Sequence, residues 1–174
     1  MKAATLIFAA APILAGLMGA GPAAAQTLSL SGEAGQHASL TAAQFAALPH
    51  LHVQVMQHGQ HHTYDGVLLS DLLARVNAPH GEGIKGRELA TVVRVSARDG
   101  YQVVVGLAET DAVTRAGKMI VADREAGAPL KAEEGPFRLV IGDDLRPARS
   151  ARQVERIELI NLSTMSKPTP AQGH

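Results

Sequence analysis

Residues 91–107 read TVVRVSARDGYQVVVGL, and this stretch decides the fold class. Thr91–Ala97 and Tyr101–Leu107 are rich in β-branched residues and flank Asp99-Gly100, a strong tight-turn signal. The segment therefore predicts two strands joined by a short turn. Upstream, VLLSDLLARV places Leu69, Leu72, Leu73 and Val76 at i, i+3, i+4 and i+7, with Ser70, Asp71 and Arg75 facing water. That spacing predicts an amphipathic helix stopped by Asn77, Pro79 and Gly81. Gly81, Gly83 and Gly86 spell G-x-G-x-x-G, but the motif follows a helix and leads into a strand. A dinucleotide site needs the reverse order, so this is read as a loop.

Further upstream, LTAAQF offers Thr41 as N-cap, Gln44 at N3, and Leu40 with Phe45 as a hydrophobic staple. Pro49 ends that short helix. His50 to Met56 alternates, with Leu51, Val53 and Val55 on one side and His52, Gln54 and Met56 on the other, as in a strand with one buried face. A loop running from His58 to Asp65-Gly66 is expected next. TLSLSG, KMIVA, PFRLVI and VERIELINL read as further strands, DREAGAPL as a turn, and Ala108–Ala116 as a short helix. Strands adjacent in sequence with a few short helices between them predict an α+β domain with a mixed sheet.

Residues 1–25 have the form of a secretory signal peptide: Lys2, an apolar run broken by Pro12, Gly16 and Gly19, then Ala23-Ala24-Ala25. Cleavage there predicts a periplasmic or secreted protein, with no membrane association afterwards. The domain is expected over 26–162, with a disordered tail over 163–174 containing Pro168 and Pro170. Removing the leader takes Lys2 from 16 basic residues and leaves all 16 acidic ones, a net charge of about −1. Nucleic acid is not an expected partner, and the absence of tryptophan removes the usual base-stacking platforms. With no cysteine, the chain has no disulfide, no thiolate nucleophile and no Cys-ligated metal.

Three residue groups invite chemistry. His58, His61 and His62 fall within five residues, and with His52 they could supply imidazole ligands to a metal or line a pocket. Arg146, Arg149 and Arg152 sit three apart. If helical, they share a face suited to phosphate; otherwise they form a solvated rim neutralised by Asp143 and Asp144. Arg138 interrupts the apolar run PFRLVI and faces outward or into a pocket. Tyr101 is a half-buried strand residue or a hydroxyl at a cleft mouth.

YDGVLLSDLL, ARDGYQVVVGLAETD, GAPL, EGPFRLVI and the run R-x-x-R-S-x-R-x-V-E-R-I-E-L occur in that order. Together, from Leu40 to Leu162, they resemble the molybdopterin-binding oxidoreductase domain of the sulfite oxidase type, as a short, exported variant. The resemblance implies a sulfite-oxidase-type α+β fold with a pocket for a phosphate-bearing pterin. By position, it puts Arg138, Arg146 and Arg149 in the pterin-phosphate region and His58, His61 and His62 in the neighbourhood where related enzymes do their chemistry; with Tyr101 these are the candidate cofactor-binding residues. It also implies a molybdenum-ligating Cys between the strand and the Gly66-Val67-x-Leu69 helix. Here HVQVMQHGQHHTYDG (52–66) has Met56 as its one sulfur, so ligation of molybdenum through Cys is not possible. Three readings follow: a non-catalytic pterin- or anion-binding module; a molybdopterin-dependent oxidoreductase for a small substrate, with a periplasmic redox partner; or a periplasmic protein binding metal through histidines.

Overall fold

The computed structural model describes residues 26–164. The signal expected at 1–25 and residues 165–174 of the expected tail lie outside it. Ser163 and Thr164, assigned to that tail, instead belong to a 3-10 turn, Leu162–Thr164.

The described residues build two sheets. β1 (Thr27–Ser31) and β2 (His37–Thr41) form an antiparallel pair. β2 runs directly into α1 (Ala42–Ala46), where Thr41 and Gln44 complete the expected capping box, an arrangement worth about 1 kcal/mol. β3 (Leu51–Gln57) and β4 (Gln60–Leu68) form the next hairpin. α2 (Leu69–Ala74) follows without a break, then two 3-10 turns across residues 81–90. β5 (Thr91–Ala97), β6 (Gln102–Gly106), β7 (Met119–Glu125), β8 (Ala128–Pro129), β9 (Arg138–Ile141) and β10 (Val154–Asn161) complete the set.

Sheet A has the order β2-β1-β10-β5-β6, mixed because β1 and β10 run parallel. Sheet B has the order β3-β4-β7-β8, with β9 also on β7. The inner faces of the two sheets, with α1 and α2, enclose the main core: Leu28, Leu30, Val93, Val95, Val105, Ile157, Val121, Leu139, Phe45 and Leu72 are all buried there. Each such side chain stabilises by about 1.5–3 kcal/mol relative to exposure. The far face of sheet B holds a second, smaller cluster of Val53, Val55, Tyr64, Ile120, Ala122 and Val140. No helix among the described residues is long and apolar enough to cross a membrane.

Four expectations change in detail. The His58–Gly66 loop is the turn and most of a strand. The helix begins at Leu69 rather than Val67, because Val67 and Leu68 still pair with Val121 and Ile120 of β7. Its end is as expected: Asn77 takes a left-handed conformation (φ 58°) and the Ala78 N–H closes on the Leu73 carbonyl. The expected helix over Ala108–Ala116 is a 3-10 turn at Leu107–Thr110. DREAGAPL is the end of β7, a turn at Ala126-Gly127 and β8.

Candidate functional site

The histidine segment is a tight hairpin. Seven pairs run from Leu51↔Gly66 to Gln57↔Gln60, and His58 (φ 51°) with Gly59 (φ 76°) makes the two-residue turn. Both turn residues have positive φ, as the type I′ geometry requires, and histidine tolerates it better than most residues. Alternation then separates the histidines. His52, Met56 and His61 share one face with Gln54, Thr63 and the buried Asp65, whereas His62 lies on the Tyr64 face. His52 Nδ1 bonds the Asp65 carboxylate directly across the hairpin. His62 Nδ1 reaches Glu125 at 2.6 Å and stacks on Tyr64 with ring centroids 6.2 Å apart. One further imidazole joins sheet B. The register slips at Asp65/Gly66 opposite β7, and Asp123, passed over by the pairing, meets His50 Nε2 at 3.0 Å. Gly66 is required there, because a Cβ would collide with the Val121 carbonyl oxygen.

Arg138 does not face outward. It is 2 % exposed, on the same face as Tyr64, with its guanidinium 4.8 Å from that ring's centroid. Nη1 meets Glu134 at 2.8 Å and Nη2 donates to Gln57 Oε1 at 3.2 Å. Arg152 approaches the same Glu134 at 3.6 Å. Burial raises the Tyr64 phenol above its usual range; Arg138 and Arg152 oppose, while Glu125 and Glu134 add. The phenol therefore stays protonated, and the cluster is an internal clamp holding β4, β9 and the 131–135 turn together.

The arginine-rich segment forms a 3-10 turn, Pro147–Arg149, set against the Asp99-Gly100-Tyr101 turn. The Tyr101 hydroxyl donates to the Ala148 carbonyl at 2.6 Å. Tyr101, Asp99, Ala148, Ser150 and Arg152 line a cleft of about 230 Å³. Arg149 is forked onto Asp144 at 2.7 and 3.0 Å and also meets Glu109 at 3.4 Å. Asp144, chiefly, holds this guanidinium above its usual pKa, with burial opposing and Glu109 assisting. Arg146 is exposed. The structure thus brings Tyr101 to the arginine turn, but Arg138 lies inside the protein, and His61 and His62 point to opposite faces of the hairpin. A larger groove of about 490 Å³ lies elsewhere, between Gln26, Arg98, Pro136 and Arg156, and includes none of the expected residues.

The fold resembles part of a known enzyme. The crystal structure of the sulfane dehydrogenase SoxCD from Paracoccus pantotrophus matches with a TM-score of 0.57 and 15% identity, over 78% of this chain and 38% of that one. This chain therefore spans well under half the length of that SoxCD chain. A likeness to SoxCD at such identity shows the fold alone. No family model matches the sequence, and no curated protein matches it.

Sequence reasoning missed Glu134, Gln57 and Tyr64, the partners of Arg138. One signal was present: a lone arginine in an apolar strand with a glutamate four residues before it. Gln57 lies 81 residues away, and nothing local could point to it. Among the described residues, no group of three or more histidine, aspartate or glutamate side chains gathers as a metal would need.

Proposed function

We propose that the chain is a binding module built on a sulfite-oxidase-type fold, which receives a small anion, the phosphate of a pterin foremost, and performs no oxo transfer. The closed hairpin at 51–68 carries this reading. The resemblance puts the metal-ligating thiolate on this segment, and here the segment is seven cross-strand pairs and a two-residue turn in a cysteine-free chain. Thiolate-held molybdenum does not fit that donor set. Met56 offers a neutral thioether, a poor partner for a hard oxo-metal centre.

The phosphate end fits better. Arg152 is exposed and lines the Tyr101 cleft, Arg146, also exposed, directly precedes its wall residue Pro147, and guanidinium is suited to forked phosphate recognition. The cleft falls below the roughly 300–1,000 Å³ usual for whole small-molecule sites, which favours an anionic group over an entire cofactor. Arg149, already neutralised, serves to position the turn. The protein acts outside the cytoplasm, a placement that rests on the leader sequence alone. The likeness to a dehydrogenase favours a second reading, a redox enzyme holding its cofactor without a thiolate.

Elemental and pterin analysis of protein exported by its native host separates the two. The binding module contains no stoichiometric molybdenum, and phosphate or a phosphate-bearing pterin raises its melting temperature. Arg152→Ala reduces that shift. Stoichiometric molybdenum with turnover of sulfite or a sulfoxide overturns the proposal.

A further inference from the structure

The outward face of the β3–β4 hairpin carries a feature that anion binding does not use. We propose that Met56 and His61 form a site for a soft monovalent cation, copper(I), with His58 in the turn as a third donor. Gln57↔Gln60 closes the two-residue turn, so the next pair, Met56↔His61, is of the non-hydrogen-bonded kind. Such pairs bring Cα atoms to about 4.5 Å and their side chains closer than the alternate pairs do. His52 and Asp65, four residues along the same face, already meet across the strands, so an imidazole at these positions reaches its partner.

Met56 is 49 % exposed. Its neighbours on that face are Gln54, Thr63 and His61, so packing does not account for a methionine here. Residues 51–66 contain no lysine or arginine to repel a cation. Thioether and imidazole together match copper(I), whereas zinc prefers four N, S or O ligands. The described residues offer no three-fold gathering of histidine and carboxylate for a divalent ion. Asp65 is engaged by His52, and His62 faces the other way toward Glu125. Copper(I) and silver(I) accept two or three donors, which Met56 and His61, with His58 from the turn, would supply.

The test uses protein purified without a polyhistidine tag, titrated anaerobically with copper(I) buffered by bicinchoninate, and with silver(I) as a redox-silent probe. One equivalent should bind. Met56→Leu and His61→Gln should each weaken binding by about ten-fold or more, with unchanged circular dichroism because both side chains are exposed. His37→Gln, on β2, is the control for stray imidazole binding. Failure to compete with the chelator, wild-type affinity in Met56→Leu, or tighter binding of zinc than of copper(I) would each overturn the site.

Discussion

The two hairpins β3–β4 and β5–β6 share one plan and differ in what holds them. Each joins antiparallel strands through a turn with a left-handed glycine, Gly59 at φ 76° and Gly100 at φ 85°. β5–β6 buries Val93, Val95, Val103 and Val105 in the main core and turns Arg94, Ser96 and Gln102 outward. β3–β4 buries Val53, Val55 and Tyr64 in the smaller cluster, beside Arg138 and Glu134, and only Val67 in the main core. One hairpin is fastened by apolar area, the other by a desolvated ion pair over an aromatic ring. Function follows the difference. The apolar hairpin has little chemistry to spare beyond Tyr101 at its turn, whereas the polar one exposes imidazoles and a thioether.

The largest expected effect is at the ion pair. Arg138→Ala leaves Glu134 buried with only the longer approach of Arg152 and should cost about 3–5 kcal/mol in urea unfolding. Val95→Ala on the other hairpin should cost about 2 kcal/mol, from two lost methyl groups and the cavity they leave. If Val95→Ala proves the worse of the two, the contrast between the hairpins fails. Alanine at Gly59 or Gly100 should cost about 1–2 kcal/mol each, equal within error, since each demands left-handed backbone in open space. Tyr101→Phe loses the bond to Ala148 and should cost about 0.5–1 kcal/mol. It should also blunt any phosphate-induced melting shift, as β3–β4 variants such as Gln54→Ala should not.

The smallest effect is a pH dependence beyond β6. Backbone N–H groups of Val113 and Gly81 hold the Asp111 carboxyl below its usual range. The unfolded chain therefore takes up this proton first, and the associated stability is present above the ordinary carboxylate pKa and lost as pH falls through the depressed one. Asp111→Asn should lower stability modestly at neutral pH and converge on the wild type in acid, which flattens the acid limb of the stability curve.

β5, β6, β10 and the α1 cap were legible in sequence because each sets apolar against polar residues at the period of its structure. β4 was not. One side carries His61, Thr63 and Asp65 and the other His62 and Tyr64, so no two-residue alternation shows. Its last residues, Val67 and Leu68, continue the helical spacing of Leu69 and Leu72 and hide the strand end. Of the site, Tyr101 and the arginine turn were legible as separate candidates, but their meeting through the Ala148 carbonyl depends on tertiary folding. Arg138 was visible as an anomaly, but its inward course was not, because Gln57 and Tyr64, which meet its guanidinium, lie far away in sequence.

β10 lies between β1 and β5, so the centre of sheet A is the last of the described strands to be synthesised. A nascent chain can form the β1–β2 and β5–β6 hairpins, but nothing joins them into one sheet until Val154–Asn161 emerges. The contact order is accordingly high, and refolding should be cooperative and slow, on the order of milliseconds to seconds. Trimming the chain before Val154 should leave a β1–β2 ribbon without a neighbour and abolish the native state rather than shorten it.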